Sequence, residues 1–570
     1  MPALLSQPAV SDAQRRVNDR HRPTIVIATL AVLCTYLYLF TPATSYLGLP
    51  SPEEQAARLG FTAPHFFNQL GLVGSKLFVD LTRHTSHDIS LLLLLLVITG
   101  AFLSGYFLPV QFKQGALALW SLAGVGLLYG SQTAAGLLLA HLVVYLILHP
   151  DRQQGLWLSA LAGLAAYWAF AHGNGTDTVR WWPALVLPLL TVGIYRHAIL
   201  PLLGYPNLAG VLRAVAIHSA IVTICLGLAG NVLTGTSLTV SLGLMLFFFQ
   251  GARLAMYHAD YQDGLVPHDL SFDRYLAVFL SPGVLTNWGW AVTIPQGYAY
   301  VNARFLCEDK NRIVLAGLRI LGIALLYLVF WNWATHHLVD SFTYLGVQVH
   351  DASIKEMAYQ FSLGHEVSTL SVLLTSLLDL VSVVLVFAGI AHFKVGIWRI
   401  CGYHIQPYFN KPWLATNLMH FWTRFAYYYR EFLVRVFYYP VFFRYFRKHP
   451  DLRIFMASMA AAGLGNLISH LVESNLASGM VLESATGVLV TWPYFFLLGL
   501  GISVSLIFMR RRRHRRKAWT LDRWFAVDLL AAYVTIQYFA LIHIFMRPSE
   551  ASSVEDLFML FMLGLGIDLR

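Results

Sequence analysis

The sequence predicts an all-α, polytopic helical membrane protein, and three observations carry that class. Of the 570 residues, 57% are hydrophobic and only 12% are charged, about half the charged content of a soluble domain. Many apolar stretches are long enough to cross the hydrocarbon core of a bilayer. Runs such as Leu91–Ile98 are continuously apolar, without the alternation that a transmembrane β-barrel requires.

Taken in order, residues 1–23 form a basic tail with Arg15, Arg16, Arg20 and Arg22, which the positive-inside rule puts in the cytosol. Thr24–Phe40 follows as an apolar stretch with no small-residue cleavage site behind it, so it reads as a retained first span. Residues 41–88 are more polar, around Pro50-Ser51-Pro52-Glu53-Glu54, and read as an external segment with an interfacial helix. Spans are then predicted at Ile89–Val110, Gly115–Tyr129, Gln132–Leu148, Gly155–His172, Trp182–Ala198, Val211–Leu233 and Ser237–Gln250. Residues 24–240 thus hold the N-terminal group of transmembrane helices. Later spans are predicted at Ile313–Trp331, Leu370–Ile390, Phe455–Leu471, Gly487–Met509 and Trp524–Phe545, for a total of about 11–14. No internal repeat is visible, which counts against the inverted-repeat transporters.

The net charge of +10 concentrates in short loops beside spans, above all in Arg510–Lys517. That block reads as a cytosolic loop on anionic headgroups, able also to attract an anionic cosubstrate. No recognition fold accompanies it, so nucleic acid is not an expected partner. The four cysteines, Cys34, Cys225, Cys307 and Cys401, have neither disulfide-framework nor metal spacing. His84 and His87 lack a third ligand, and no metal site is expected. Phosphate-binding loops, dinucleotide fingerprints and nucleophile elbows are likewise missing from the sequence.

Residues 403–451 differ from the rest of the chain. Aromatic residues alternate with Arg424, Arg430, Glu431, Arg435, Arg444 and Arg447, and no clean apolar span exists there. The mixture suits helices along the interface or around a cavity; a belt of aromatics with snorkelling arginines is the plainer reading. Beyond it, Met459–Leu471 places His470 in an apolar, small-residue helix. Asn466 lies four residues before His470 and Glu473 three after, so all three share one helical face. A titratable imidazole in a membrane span is a functional-site candidate, and it has the chemistry of a general base. A histidine joining two helices by a hydrogen bond is the alternative. His404 and His420 read as packing histidines.

Several phrases occur in a recognisable order. Phe409-Asn410-Lys411-Pro412-Trp413-Leu414-Ala415-Thr416-Asn417 precedes Phe421-Trp422-Thr423-Arg424-Phe425; an arginine-bearing amphipathic helix follows, ending in Tyr438-Tyr439-Pro440, and then the span with His470. Upstream stand Phe247–Gln250 and Tyr257–Gly264; downstream stand Phe545–Ser549 and Val554–Gly564. This order resembles the core of the membrane-bound O-acyltransferase (MBOAT) family, in particular its bacterial branch related to alginate O-acetylation proteins. The resemblance covers residues 241–566.

The resemblance implies helices around a central tunnel, and an enzyme that moves a short acyl group from a cytosolic thioester to a hydroxyl of a cell-envelope polysaccharide or glycan. It makes His470 the catalytic base, with Asn466 orienting it or donating to the oxyanion. Arg424 and Arg430 become candidates for the phosphates of acyl-CoA, acetyl-CoA foremost, which acts as a cosubstrate in place of any tightly bound cofactor. Asn410, Phe421, Trp422, Phe425 and Glu473 become motif or tunnel-lining residues. Membrane lipids and polysaccharide-assembly proteins are the implied partners, in a bacterial inner membrane with the N-terminus cytosolic. The chain departs from the pattern at Ala426, where relatives carry His or Asn, at Thr423, where they carry Arg, and at Ser281–Trp290, which replaces a Gly-Pro-Ile phrase. Two rivals stay open. Ala426 suits a catalytically silent scaffold or partner-binding relative. The number of spans and Asp379, a lone acid within one of them, suit a transporter or flippase.

Overall fold

The computed structural model describes residues 22–35, 87–129, 138, 141, 145, 251–280, 294, 296–305, 309–350, 353–467, 469–470, 491–512, 521–546 and 552–569. Among these residues the secondary structure is helical without a β-strand, apart from a bridge between Phe305 and Tyr403. Three helices, Thr369–Ile400, Trp492–Arg511 and Val527–Met546, are long and apolar enough to cross a membrane. Large apolar side chains such as Val504, Phe508, Leu529, Leu530 and Val534 stand exposed on two of them, as a lipid-facing surface requires. The chain is therefore a helical membrane protein. The predicted spans Gly155–His172, Trp182–Ala198, Val211–Leu233 and Ser237–Gln250 lie outside the described residues, as do most of Gln132–Leu148 and of the external segment 41–88.

The chain divides into two compact units. The first comprises Met1–Ile323, Phe393–Gln406 and Gly479–Val481; the second comprises Ala324–His392, Pro407–Ser478 and Leu482–Arg570. In the first, α1 (Arg22–Thr35), α2 (His87–Phe107) and α3 (Val110–Tyr129) come before α4 (Gly251–Gln262), α5 (Phe272–Leu280) and α6 (Tyr298–Arg304). Pro109 separates α2 from α3, because it lacks the N–H that a continuous helix needs. Gly100 of α2 faces the Trp120 ring at a distance that leaves no room for a Cβ, and the indole donates to Ser104 Oγ at 2.8 Å.

The core of this unit is aromatic: Tyr145, Tyr257, Tyr275 and Phe279 are buried together. Arg253 is buried beside them. Its guanidinium donates to the carbonyls of Gln296, Phe279 and Val278 at 3.2, 2.8 and 2.6 Å, the last two at the open C-terminal end of α5, where a cation complements the helix dipole. Asp260 does the converse, accepting the Ala299 N–H in the first turn of α6 at 2.9 Å. Gly297, just before α6, is obligatory: a Cβ there would lie 2.3 Å from Asp260 Oδ2.

The next two helices, α7 (Lys310–Tyr344) and α8 (Ile354–Ser362), precede α9 (Thr369–Ile400). The 35-residue α7 and 32-residue α9 outrun the predicted Ile313–Trp331 and Leu370–Ile390. Ser368 caps α9 by accepting from Ser371 N at 3.1 Å. The helix runs through buried Lys394 and Arg399 before Gly402, with φ of 101°, ends it. Arg399 is tolerated because Nε and Nη2 donate to Ile405 O at 3.0 and 2.7 Å.

In the second unit the aromatic region breaks into short pieces, as its lack of a clean span predicts: α10 (Leu418–Arg424), α11 (Tyr427–Leu433), a π-helical turn at Val434–Tyr438, and α12 (Tyr439–Arg444). Then come α13 (Pro450–Ser458), a second π-helical stretch at Met459–Gly465, α14 (Trp492–Arg512), α15 (Leu521–Ile542), a 3-10 turn at His543–Met546, and α16 (Val554–Gly564). The single span predicted at Phe455–Leu471 is thus α13, a π segment and the helical residues that follow. Its packing explains the change. Gly465 faces the Phe437 ring, 2.8 Å from where a Cβ would sit, and Gly499 of α14 similarly faces Met459 Sδ at 2.8 Å. Small residues let these backbones approach closely.

Candidate functional site

The stretch from Pro450 to His470 and α14 form an antiparallel hairpin within the second unit. At one end, Arg510 and Arg511 donate to the two carboxylate oxygens of Asp451 at 2.7 and 2.8 Å. The hydrogen bond from Arg511, aided by the positive charge of both arginines, holds the Asp451 carboxyl below its ordinary range. At the other end the His470 ring lies 5.3 Å from that of Phe495, tilted by 45°. Between Phe495 and Arg510 the helix advances about 15 residues, or about 23 Å at 1.5 Å per residue.

His470 is half-buried and makes no side-chain hydrogen bond among the described residues. This removes, within those residues, the bond on which a purely structural role for the imidazole would depend. Asn466, one turn earlier, is buried, and its Oδ1 accepts from the Tyr429 hydroxyl at 2.7 Å. The chain therefore gives Asn466 a partner that sequence reading missed. Tyr429 is 37 residues away on another helix, and no local spacing could have pointed to it. Glu473 lies outside the described residues.

The motif residues form the scaffold around this hairpin. Phe421 and Phe425 stack at 5.1 Å, and both meet Phe539 of α15, at 4.4 and 5.6 Å. Phe409 packs edge-on against Phe425. Trp422 is buried, whereas Asn410 is exposed and uses its backbone N–H to bind Arg424 O at 2.8 Å. Together with Tyr427 N donating to Tyr408 O at 2.9 Å, that bond ties the phrase before α10 to the turn after it. The turn contains Ala426 in the left-handed region, with φ of 51°. Asn and His adopt this conformation more readily than most residues.

The two arginines singled out for a donor differ in setting. Among the described residues the Arg424 side chain makes one long contact, Nη1 to Lys411 O at 3.4 Å. Arg430 pairs with the neighbouring Glu431 and lies 5.1 Å from the Tyr427 ring centre, while its Nε has no hydrogen-bond partner among the described residues. His420 is exposed, and its backbone N–H binds Asn417 Oδ1 at 2.9 Å in the cap of α10.

A second polar group lies elsewhere in the unit. Asp379 of α9 approaches His543, just beyond α15, with Oδ2 3.9 Å from Nδ1. Gln537 joins the same seam by donating to Leu373 O and Ser376 Oγ at 3.2 and 3.3 Å. No group of three or more His, Cys, Asp or Glu among the described residues could hold a metal ion. Comparison with known proteins adds no name to this geometry, since neither a protein-family model nor a curated protein sequence matches the chain.

Proposed function

We propose that this chain is an MBOAT-like membrane O-acyltransferase, carrying a short acyl group from a cytosolic thioester such as acetyl-CoA to a hydroxyl of a cell-envelope polysaccharide or glycan. The observation that carries the reading is that Asn466 and His470 lie one turn apart just after the π-helical stretch Met459–Gly465, with no hydrogen bond to the His470 side chain among the described residues. In the proposed reaction the acceptor oxygen bonds to the thioester carbonyl carbon while His470 takes the hydroxyl proton. The C–S bond then breaks, and the imidazolium returns that proton to the leaving thiolate. Arg424 and Arg430 grip the donor phosphates, for which guanidinium geometry is suited. By the positive-inside rule, the basic end of the hairpin and residues 1–23 face the cytosol, in what the resemblance implies is a bacterial inner membrane, with a tunnel through residues 241–566. The test is CoA release and acceptor labelling from radiolabelled acetyl-CoA by the full-length protein in nanodiscs. Release that His470→Ala leaves intact would transfer the chain to the scaffold reading favoured by Ala426.

A second reading has an observation of its own. The Asp379–His543 pair joins a helix long enough to cross a membrane to the end of another, and intramembrane acid–histidine pairs mark proton and ion routes. A transporter would lose proton-coupled solute flux in proteoliposomes on Asp379→Asn, whereas an acyltransferase would show no such flux to lose.

A further inference from the structure

We infer that Tyr429 fixes the Asn466 amide as a hydrogen-bond donor beside His470, and that this donor serves the carbonyl oxygen of the acyl thioester. The inference rests on the acyl-transfer reading. An asparagine near a catalytic base can act in two ways: its carbonyl can hold the imidazole N–H, or its NH2 can stabilise negative charge on the substrate. The structure favours the second: Oδ1 of Asn466 already accepts the Tyr429 hydroxyl at 2.7 Å, and Asn466 and His470 share no hydrogen bond among the described residues. The group left over is Nδ2, which donates to nothing among the described residues although the side chain is 2% exposed. An amide NH2 with no partner is a donor available to a ligand, and an acyl carbonyl is an acceptor of the right chemistry.

The surrounding backbone is built to hold this arrangement. Tyr429 stands in the first turn of α11, the helix that begins at the left-handed Ala426. The π turn that follows α11 meets the π stretch before Asn466 through Phe437 and Gly465. π insertions recur at functional sites because the extra residue re-aims the side chains that follow. Here the residue re-aimed is Asn466. Ala426 contributes only a methyl group, so the polar side chain on this side of the site comes from Tyr429, three residues later. Tyr429 is thus a positioning residue, and Asn466 is the group that touches the substrate.

The experiment uses the full-length protein in nanodiscs, with acetyl-CoA as the probe and water standing in for the acceptor hydroxyl. Asn466→Asp keeps shape and still accepts the tyrosine hydroxyl, but it places an acceptor where a donor is required. It should lower kcat for CoA release by about 10²–10³-fold, the range for losing one oxyanion donor, with KM for acetyl-CoA changed less than about twofold. Tyr429→Phe should lower kcat by about tenfold, and the double variant should be no slower than Asn466→Asp alone, because both act through one group. Thermal melting separates these effects from unfolding. If His470→Ala abolishes release but Asn466→Asp retains wild-type kcat, the inference is overturned while the acyl-transfer reading stands. If His470→Ala leaves release unchanged, that reading fails first.

Discussion

His470→Gln is the substitution that discriminates most sharply between chemistry and packing. The imidazole packs on Phe495 and has no hydrogen bond among the described residues. An aromatic pair of this kind contributes about 0.5–1.5 kcal/mol beyond area burial. With the half-buried surface added, truncation to Ala should cost only about 1–2 kcal/mol of stability, and Gln, which retains bulk and polarity, should cost less. A positioned general base supplies about 10²–10⁴-fold in rate, equivalent to about 2.7–5.5 kcal/mol of barrier. The loss of turnover should therefore far exceed the loss of stability. The assay is single-turnover CoA release from acetyl-CoA beside thermal melting of the same nanodisc samples. Gln should be as inactive as Ala, with melting temperatures close to wild type. A Gln variant that turns over near the wild-type rate would refute the reasoning, since glutamine cannot accept the proton at neutral pH.

Replacing Arg424 and Arg430 together by Ala should raise KM for acetyl-CoA at least several-fold while the protein still inserts. An unchanged KM would make both residues interfacial anchors. A cysteine placed at Arg513 should resist membrane-impermeant maleimide applied outside intact cells, and labelling from outside would invert the proposed topology. The pH dependence of the hairpin is set at Asp451, whose carboxyl is depressed first by the Arg511 hydrogen bond. A depressed carboxylate contributes stability above its ordinary pKa of about 3.9 and loses it as pH falls through the lowered value. Thermal melting followed downward from about pH 6 should accordingly show an acid-side loss that Asp451→Asn lacks, and identical profiles for the two proteins would remove the role.

The helical membrane class was legible because apolar length is a property of the sequence itself. The ends of the long helices were not. Lys394 and Arg399 lie beyond the predicted end at Ile390, yet α9 continues through both, and the Ile405 carbonyl folds back to satisfy the Arg399 guanidinium. Likewise α7 runs on past the predicted end at Trp331, through Asn332, His336, His337 and Asp340. The shared face of Asn466 and His470 followed from four-residue spacing, which is local. Tyr429 and His543 were invisible as partners, because their contacts close loops of 37 and 164 residues and nothing in the intervening chain encodes them. The π stretch was hidden for a related reason. It depends on Gly465 meeting Phe437 and on Gly499 meeting Met459, and those approaches exist only once the hairpin has closed.

The hairpin also acts as a ruler. Its ionic end at Asp451 and its imidazole end at Phe495 are about 23 Å apart along α14, most of the roughly 30 Å of hydrocarbon in a bilayer. Arg430, the neighbour of the tyrosine that bonds Asn466, belongs to the imidazole end of that ruler and not to its ionic end. Under the acyl-transfer proposal the donor is therefore held at the end where the chemistry takes place, and the Asp451 end anchors the pair of helices at the membrane surface without touching the donor. Neutralising the ionic end should then shift stability and leave KM for the donor alone.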